Sequence, residues 1–356
     1  MIEVFVGSTN KYAGKTVVVL GILEHLKSRG MKIGYFKPIG KNFIYKGGER
    51  VEGDALLIKD HFSLEDELSL MCPVYLDYSD YTDVALGKTR DVQSDIYGAY
   101  EQLKRNKDVI VIGGGQDLFD GYSIGISNIH FIEKLNLPLV LVDSPAFGEI
   151  NLDAIAAIRD RMGEKLMGVV LNRLQPERVD FIKKTFVPFL ESKSINVLGL
   201  VPFNPKLTSL TIGEIREALG GEIICCDDRI EEAVENFMVG AMNVESALKY
   251  FRSQGNKAVI TGGDRADIEL AALETPTKVL ILTGGLYPET RIISTAQEKG
   301  VPIIVVGDDT LTVVDKVESA VRGVGVRGHR VQESINTFQM FVDTAFLEEL
   351  LRKHKG

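Results

Sequence analysis

Short apolar runs rich in β-branched residues recur along this chain, and stretches with the periodicity of a helix separate most of them. In the first part of the chain such runs cover residues 2–6, 32–36, 109–112, 139–142, 167–171 and 197–201. Continuously apolar strands that alternate with helices are typical of parallel sheets with helices on both faces. The alternation therefore predicts an α/β fold with a doubly wound, mostly parallel sheet.

A second alternation begins after a segment that contains two prolines, Pro202 and Pro205. Its apolar runs cover residues 222–226, 258–261, 279–283 and 303–306. At 356 residues the chain is long enough to form two domains that each bury a core. We therefore expect a first domain at residues 1–210, a smaller α/β domain at 211–334 and a C-terminal helical segment at 335–356. An amphipathic helix near 344–353 should pack on the second domain.

The composition argues against several classes of partner. A formal net charge of −9 disfavours nucleic acid, because binding its phosphate backbone needs a clustered basic surface. The three cysteines, Cys72, Cys225 and Cys226, do not form a framework of disulfide pairs and suit a reducing compartment. No apolar run approaches the roughly 18 residues of a membrane span. We therefore expect a cytoplasmic protein without nucleic-acid or membrane partners.

A glycine-bearing turn with a Lys-Thr pair follows the first apolar run and leads directly into a helix. The turn reads GSTNKYAGKT over residues 7–16, with six residues between Gly7 and Gly14 where a standard P-loop has four. The physics of the motif is retained, because N–H groups at a helix N-terminus point at an anion. Lys15 adds a positive charge, and the Thr16 hydroxyl can reach a magnesium ion. The turn predicts a nucleotide-phosphate site; the alternative is a glycine turn with an exposed lysine.

Further motifs follow in an order that resembles dethiobiotin synthetase. They read FKPI at residues 36–39, GDA at 53–55, GEIN at 148–151 and GVVLNR at 168–173. The resemblance implies that Lys37 contacts the reacting phosphate and carbamate, that Asp54 binds magnesium and that Asn172 reads adenine. By position alone, these three residues could instead be a solvated strand end, a helix cap and a turn former.

The resemblance thus implies an adenine-nucleotide site that uses ATP and Mg²⁺. Its implied catalytic residues are Lys15 and Lys37. Its implied nucleotide ligands are Gly14, Lys15, Thr16 and Asn172, and its implied magnesium ligands are Thr16 and Asp54. Because the related synthetases form dimers, we also expect a homodimer.

One position departs from the dethiobiotin synthetase pattern. In that family a magnesium-binding glutamate follows the strand that matches residues 109–112, and here the matching residue is Gly113. A missing carboxylate leaves the metal with fewer ligands and less charge compensation, which weakens the case for phosphoryl transfer. Asp117 or Asp120 could substitute, or both could be ordinary residues of a solvated glycine-rich loop.

The second alternation resembles the DRTGG domain, which follows a dethiobiotin-synthetase-like domain in the N-terminal half of long bacterial phosphotransacetylases. The matching segments read PFNPKL at 202–207, IGEIREALG at 212–220, GDRADI at 263–268 and LTGGLYP at 282–288. The chain ends soon after them, so we expect no acyltransferase domain. A strand, two glycines and Asp264-Arg265 at a helix start predict a small-anion or nucleotide pocket. Alternatively, Asp264 caps the helix and Arg265 pairs with it.

Two functions are consistent with these features. The first is a nucleotide-binding regulatory or sensor protein, whose ATP-bound state is read by a partner such as a separately encoded enzyme. The second is an ATP-dependent ligase or carboxylase of the dethiobiotin synthetase type. A third hypothesis is a scaffold that keeps the fold and binds no nucleotide.

Overall fold

The two alternations of the sequence form two units in the computed structural model, which describes residues 1–46, 48–88, 91–145, 149–323 and 325–354. One unit consists of Met1–Phe203 together with Val326–Gly356, and the other of Asn204–Gly325. The chain therefore leaves the first unit after residue 203 and returns to it after residue 325.

The first unit begins with an alternation of strands and helices. Its strands are β1 (Ile2–Ser8), β2 (Ile33–Phe36), β3 (Phe43–Lys46), β4 (Glu49–Glu52), β5 (Val109–Gly113), β6 (Leu139–Asp143), β7 (Leu166–Leu174) and β8 (Val197–Pro202). Its helices up to residue 203 are α1 (Lys15–Lys27), α2 (Gly53–Phe62), α3 (Leu68–Met71), α4 (Tyr78–Ala85), α5 (Gln93–Leu103), α6 (Asn128–Leu135), α7 (Leu152–Met162) and α8 (Val179–Ser192).

Six of these strands form one sheet in the order β2-β5-β1-β6-β7-β8. Every neighbouring pair in it is parallel. The central strands consist almost entirely of buried valine, isoleucine and leucine, because helices cover both faces. This sheet confirms the predicted α/β fold. The chain runs outward from β1 in both directions, so the carboxyl end of β1 is the switch point where such sheets bind ligands.

The segment from Lys41 to Glu52 is polar and contains glycine, a composition typical of a mobile loop, but in the structure it contains an antiparallel hairpin. Strands β3 and β4 pair Phe43 with Glu52, and the Arg50 guanidinium stacks over the Phe43 ring at 3.4 Å. Gly47 lies outside the described residues. The sequence FIYK of β3 is too short for its pattern of apolar and polar residues to distinguish a strand from a loop. In the folded chain the hairpin buries Val51 and Glu52. It thereby holds the Glu52 carboxylate in the interior of the first unit.

The second unit contains a second sheet. Its strands are β9 (Leu210–Thr211), β10 (Glu222–Cys225), β11 (Ala233–Val234), β12 (Asn236–Val239), β13 (Lys257–Gly262), β14 (Thr277–Thr283) and β15 (Ile303–Val305). Its helices are α9 (Ile212–Leu219), α10 (Val244–Phe251), α11 (Ala266–Leu273), α12 (Thr290–Lys299) and α13 (Thr310–Gly323). The sheet order is β10-β15-β14-β13-β12, with β10 antiparallel and the other pairs parallel. Apolar clusters cover both faces of this sheet.

The C-terminal segment forms α14 (His329–Phe341) and α15 (Thr344–Lys353) and packs on α1 in the first unit. Gly21 of α1 leaves room for the Phe338 ring, which a Cβ at that position would overlap. Glu348 of α15 pairs with His25 Nε2 at 3.2 Å and Arg29 Nε at 2.9 Å. The expectation that this helix packs on the second domain is therefore wrong, because its partner surface lies on the helix that begins at residue 15.

None of the helices within the described ranges combines the length and the hydropathy that crossing a bilayer requires.

Candidate functional site

The turn between β1 and α1 is held by a buried amide from β7. Gly14 is the N-cap residue of α1 and has φ of +92°, a left-handed conformation that favours glycine. The Asn172 side chain is buried, and its Nδ2 donates a hydrogen bond of 2.8 Å to the carbonyl of Ala13. A Cβ at Gly14 would overlap this amide nitrogen. The end of β7 therefore fixes the backbone that precedes Lys15.

The ammonium group of Lys15 lies at the carboxyl end of β1. Its Nζ donates hydrogen bonds to Ser8 Oγ at 2.8 Å and to the carbonyl of Gln116 at 2.9 Å. Burial first, and the positive charge of Lys37 second, lower the pKa of Lys15 to about 8. The two lysines predicted as catalytic are therefore close enough to repel each other. An anion between them would relieve that repulsion.

The two predicted magnesium ligands are in contact. Thr16 Oγ1, at the start of α1, donates a hydrogen bond of 3.3 Å to Asp54 Oδ1, in the first turn of α2. The other carboxylate oxygen of Asp54 accepts from Lys37 Nζ at 2.5 Å. Burial alone would raise the pKa of Asp54, but Lys37 holds it below its usual value. An ionised carboxylate beside a hydroxyl supplies the oxygen ligands that Mg²⁺ prefers, so these residues fit the ion.

Glu52 is a residue of this site that the sequence interpretation missed. Its side chain is fully buried, with Oε1 2.7 Å from Lys37 Nζ and Oε2 accepting from the backbone N–H of Ala55 at 2.8 Å. Burial alone would lower the pKa of Lys37, but Asp54 and Glu52 together hold it well above its usual value. Glu52 is the N-cap residue of α2, and its carboxylate accepts from the N–H three residues further along the chain. An acidic residue at this spacing before a helix is a signal that could have identified it from the sequence.

Gly113, at the end of β5, stands where the related synthetases have a glutamate. A Cβ there would overlap the hydroxyl of Tyr35 on β2, so the tyrosine fills the space that a side chain would need. Burial raises the pKa of Tyr35 well above its usual value, which keeps the phenol neutral. The position therefore presents a neutral hydroxyl beside the site in place of a negative charge.

In the described part of the chain neither proposed substitute for that glutamate is bonded to Thr16 or Asp54, although the charges of both act on Lys15. Asp120 pairs with Lys41 and accepts from the backbone N–H of Gln116 at 3.0 Å. Asp117 accepts from the N–H of Phe119 at 2.8 Å, so it shapes its own loop. Within the described ranges, no cluster of three or more His, Cys, Asp or Glu side chains is arranged to hold a metal ion.

A second buried carboxylate borders the phosphate turn. Asp143, at the end of β6, accepts from Thr9 Oγ1 at 2.5 Å and from the N–H of Asn151 at 3.4 Å. Burial raises its pKa, and the two hydrogen bonds oppose that rise. Asp143 therefore connects the turn to the GEIN segment, of which Gly148 lies outside the described residues. The sequence interpretation missed this residue because an aspartate at a strand end is common.

The two ligand candidates of the second unit do not form the expected pair. Arg265 is the N-cap residue of α11, but its guanidinium bonds to Asp267, with Nε 3.1 Å from Oδ1, and to the carbonyl of Met242 at 3.0 Å. Asp264 is exposed and is not the cap of α11. The alternative in which Asp264 caps the helix and Arg265 pairs with it is therefore wrong, because Asp267 is the partner of the arginine.

Comparison with known proteins assigns the two units to two families. The model of the AAA domain AAA_26 matches residues 3–211, and the model of the DRTGG domain matches residues 214–320. The phosphate acetyltransferase of Pseudomonas putida is 24% identical over 367 residues, which cover 97% of this chain and 51% of that protein. The chain therefore spans about half the length of the phosphate acetyltransferases that it matches.

Two further similarities involve one unit or the other. The ATP-dependent dethiobiotin synthetase of Thermodesulfovibrio yellowstonii is 26% identical over 223 residues, 59% of this chain and 92% of that protein. A solved structure of the CBS and DRTGG domains of a Clostridium perfringens pyrophosphatase, in complex with diadenosine tetraphosphate, is 23% identical and covers 46% of this chain and 83% of that one. Its TM-score of 0.30 is too low for any argument about the second unit.

The phosphate turn, the sheet order and the family match agree over the same residues. Residues 3–211 contain β1, the turn at Gly14-Lys15-Thr16 and the parallel sheet whose switch point lies beside that turn. The chain is homologous to phosphate acetyltransferases and dethiobiotin synthetases over this part, and a DRTGG domain follows it. The protein belongs to the AAA_26 family of AAA domains.

Proposed function

We propose that the first unit binds Mg-ATP and that the protein is a nucleotide-dependent regulator or sensor. The observation that carries this proposal is the convergence of Lys15, Lys37, Thr16 and Asp54 at the start of α1, while Gly113 leaves out the carboxylate that the ligase pattern requires. The site keeps the groups that bind a phosphate and lacks one that would complete the metal centre for group transfer.

Each retained residue has a role in holding the nucleotide. The N–H groups at the start of α1 and the Lys15 ammonium would bind phosphate oxygens. Thr16 and Asp54 would hold Mg²⁺, which neutralises phosphate charge when bound. Lys37, kept charged by Asp54 and Glu52, would face the terminal phosphate. Asn172 would contribute the adenine contact, as its match in the dethiobiotin synthetase pattern does.

An ATP-dependent ligase or carboxylase is the second candidate, and one observation favours it. Lys37 is 2.5 Å from Asp54 Oδ2, so the cation implied for the reacting phosphate and the magnesium ligand are already in contact. Such preorganisation would serve catalysis as well as binding. The two candidate functions therefore use the same site and differ in whether bound ATP is consumed in a reaction.

Calorimetry followed by a phosphate-release assay separates the two functions. The full chain is titrated with Mg-ATP, and phosphate release is then measured with and without diaminopelargonic acid. Binding with no release in either condition supports the regulator. Release stimulated by the acid would overturn it in favour of the ligase, and absence of binding would overturn both.

A matched pair of lysine variants identifies the binding site. Lys15→Ala should abolish Mg-ATP binding, because it removes the buried ammonium beside the turn. Lys11→Ala is the control, since Lys11 is exposed in the same turn and stacks over Tyr12 at 4.7 Å. Unchanged binding in the Lys15 variant, or equal loss in both, would contradict the assignment.

We also propose that the regulator acts in the cytoplasm as a homodimer and that a separately encoded enzyme reads its nucleotide state. Support for the dimer comes from the dethiobiotin synthetase resemblance. Sedimentation of the full chain with and without Mg-ATP measures it, and a monomer in both conditions would contradict it.

A further inference from the structure

A buried carboxylate of the second unit has no hydrogen-bond partner among the residues that the structure describes. Glu269, the fourth residue of α11, is fully buried, and within the described part of the chain neither Oε1 nor Oε2 accepts a hydrogen bond. Buried polar groups are nearly always paired, and leaving one unpaired costs about 1–3 kcal/mol, more when it is charged. An unpaired carboxylate at this depth is a candidate binding group for a ligand.

The charged groups that act on Glu269 are all acidic. Glu289, the N-cap residue of α12, has the largest effect of these, followed by Asp264 and Asp267. Arg265 offsets the charge of Asp267, to which its guanidinium is bonded, and leaves the charges of Glu289 and Asp264 without a bonded cation among the described residues. These surroundings favour a cationic ligand group at Glu269, because an anion would be repelled from this position.

The cluster lies near the carboxyl ends of two neighbouring parallel strands. Strand β13 leads into α11 through Gly263, and β14 leads into α12 through Gly284 and Gly285, both with positive φ. The carbonyl of Leu286 packs so closely on Gly263 that a Cβ there would overlap it. The carboxyl edge of parallel strands is where α/β sheets bind ligands.

We infer that the second unit binds a ligand through a guanidinium group on Glu269, in a conformation that opens access to this fully buried carboxylate. Both carboxylate oxygens are unpaired, and a guanidinium fork donates two parallel hydrogen bonds to such a group, whereas an ammonium is a single point of charge. Asp264 and Glu289 would supply the surrounding negative potential. A divalent metal is less suitable, because no set of three ligating side chains in the described ranges is arranged for one.

This site replaces the anion pocket expected from the Asp264-Arg265 motif. The arginine of the motif, Arg265, is bonded to Asp267 within the same segment and is not free to bind an anion. Asp264, the other residue of the motif, is exposed. The proposal concerns the second unit alone, and its test does not depend on whether the first unit binds ATP.

Protonation of Glu269 gives the proposal a distinctive readout. Burial, together with the neighbouring carboxylates, raises the pKa of Glu269 to about 7. Binding of a guanidinium requires the ionised form, so ligand binding below pH 7 must release a proton. The affinity should then fall about tenfold for each pH unit below 7 and change little above it.

Calorimetric titration of the full chain with agmatine at pH 6 and pH 8 tests the site. We expect binding at pH 8, roughly tenfold weaker binding at pH 6, and no binding to Glu269→Gln at either pH. Cadaverine, a diamine of similar length, should bind at least tenfold more weakly than agmatine, because it lacks the fork. Glu298→Gln, an exposed position on α12, is the matched control and should bind as the parent does.

Three outcomes would overturn the proposal: no agmatine binding to the parent chain at pH 8, equal binding to Glu269→Gln, or equal affinity for cadaverine. The glutamine variant removes a buried charge and keeps the shape, so loss of folding is not expected. Circular dichroism of the variant checks this, and Asp264→Asn, at an exposed position, provides a second variant that should weaken binding a few-fold.

Discussion

The side-chain amide of Asn172 donates a 2.8 Å hydrogen bond to the carbonyl of Ala13, which precedes the glycine of the phosphate turn. The residue expected to read the base therefore also supports the backbone that would hold the phosphates. The base and the phosphates lie at opposite ends of a nucleotide. A side chain that both contacts the base and holds the phosphate turn would therefore couple recognition of the base to the geometry of the phosphate site.

Replacing this amide should affect ATP more than GTP. Asn172→Ala removes the predicted adenine contact and also leaves the Ala13 carbonyl without its donor, so we expect ATP affinity to fall about tenfold or more and GTP affinity to fall less. Calorimetric titration of each nucleotide in the presence of Mg²⁺ measures both losses. Equal losses for the two nucleotides would count against the adenine contact.

The control for that variant is Asn196→Ala. Asn196 Nδ2 donates a 2.7 Å hydrogen bond to the carbonyl of Met167, a bond of the same kind at the opposite end of β7. The control should lose stability by about 1 kcal/mol and keep both nucleotide affinities. Any change in nucleotide preference in this variant would show that the effect comes from the sheet and not from the site.

Removing the Lys37 ammonium should destabilise the first unit. Lys37→Met would leave Glu52 and Asp54 buried without their shared cation, and loss of one partner of a buried ion pair typically costs 3–5 kcal/mol. Urea denaturation followed by circular dichroism measures the change in the free energy of unfolding. Lys46→Met is the control, because Lys46 makes an exposed pair with Asp60 at 3.4 Å, and we expect less than about 1 kcal/mol from it.

Protonation of Glu52 and Asp54 should restore part of the stability that the Lys37→Met variant loses. Without Lys37, the largest influence that opposes the rise burial imposes on the pKa of Glu52 is removed, and the weaker effect of the hydrogen bond from the Ala55 N–H remains. The Lys37→Met variant should therefore gain stability relative to the parent as the pH falls from 7 to 5. If the difference in the free energy of unfolding between variant and parent stayed constant across this range, the unpaired carboxylates would not be the cause of the lost stability.

The space beside Gly113 is limited by one tyrosine oxygen. Gly113→Ala should lower the free energy of unfolding by about 1–3 kcal/mol, because the added methyl group overlaps the Tyr35 hydroxyl. In a Tyr35→Phe background the same substitution should cost clearly less, since the closest atom is gone. Thermal unfolding of the four chains forms a double-mutant cycle, and an additive result would contradict the contact.

The buried glutamate of the second unit should make stability depend on pH. Its pKa rises from a usual value of 4.5 to about 7 in the folded chain, so the folded state binds more protons than the unfolded state between these values. Stability must then fall as the pH rises through this window, by about 3 kcal/mol in all, and stay low above pH 7.

Glu269→Gln removes this dependence. The variant should be close to the parent at pH 4.5 and more stable by about 3 kcal/mol at pH 8, in the absence of a guanidinium ligand. Urea denaturation at several pH values measures the difference. Parallel pH profiles for the two chains would show that Glu269 does not titrate in this window.

Local patterns predicted the parts of the fold that depend on neighbours in sequence. The apolar run before Gly7 and the helix after Lys15 form β1 and α1, because strand burial and helix periodicity are written in consecutive residues. The hairpin at residues 43–52 was missed, since its stability comes from the Arg50–Phe43 stack and from burial of Glu52 behind Lys37. Such contacts are formed only in the folded chain.

Long-range complementarity explains the other differences. The amphipathic pattern of α15 predicts a helix and does not indicate its partner, whereas the structure pairs Glu348 with His25 and Arg29. In the same way, Asp-Arg at a helix start suggested a cap and an ion pair, but the register of α11 brings Asp267 to the arginine. Both differences concern the identity of a contact partner. The periodicity of a sequence does not contain that information.

The packing of α14 on α1 also has a consequence for the order in which the chain is made. Helix α1 emerges from the ribosome before the second unit, while Phe338, which packs on it, emerges after the whole second unit has been synthesised. Domains generally fold as units during synthesis. A nascent chain that ends within the second unit therefore carries α1 with one apolar side uncovered, and translation must pass residue 341 before α14 can cover that side.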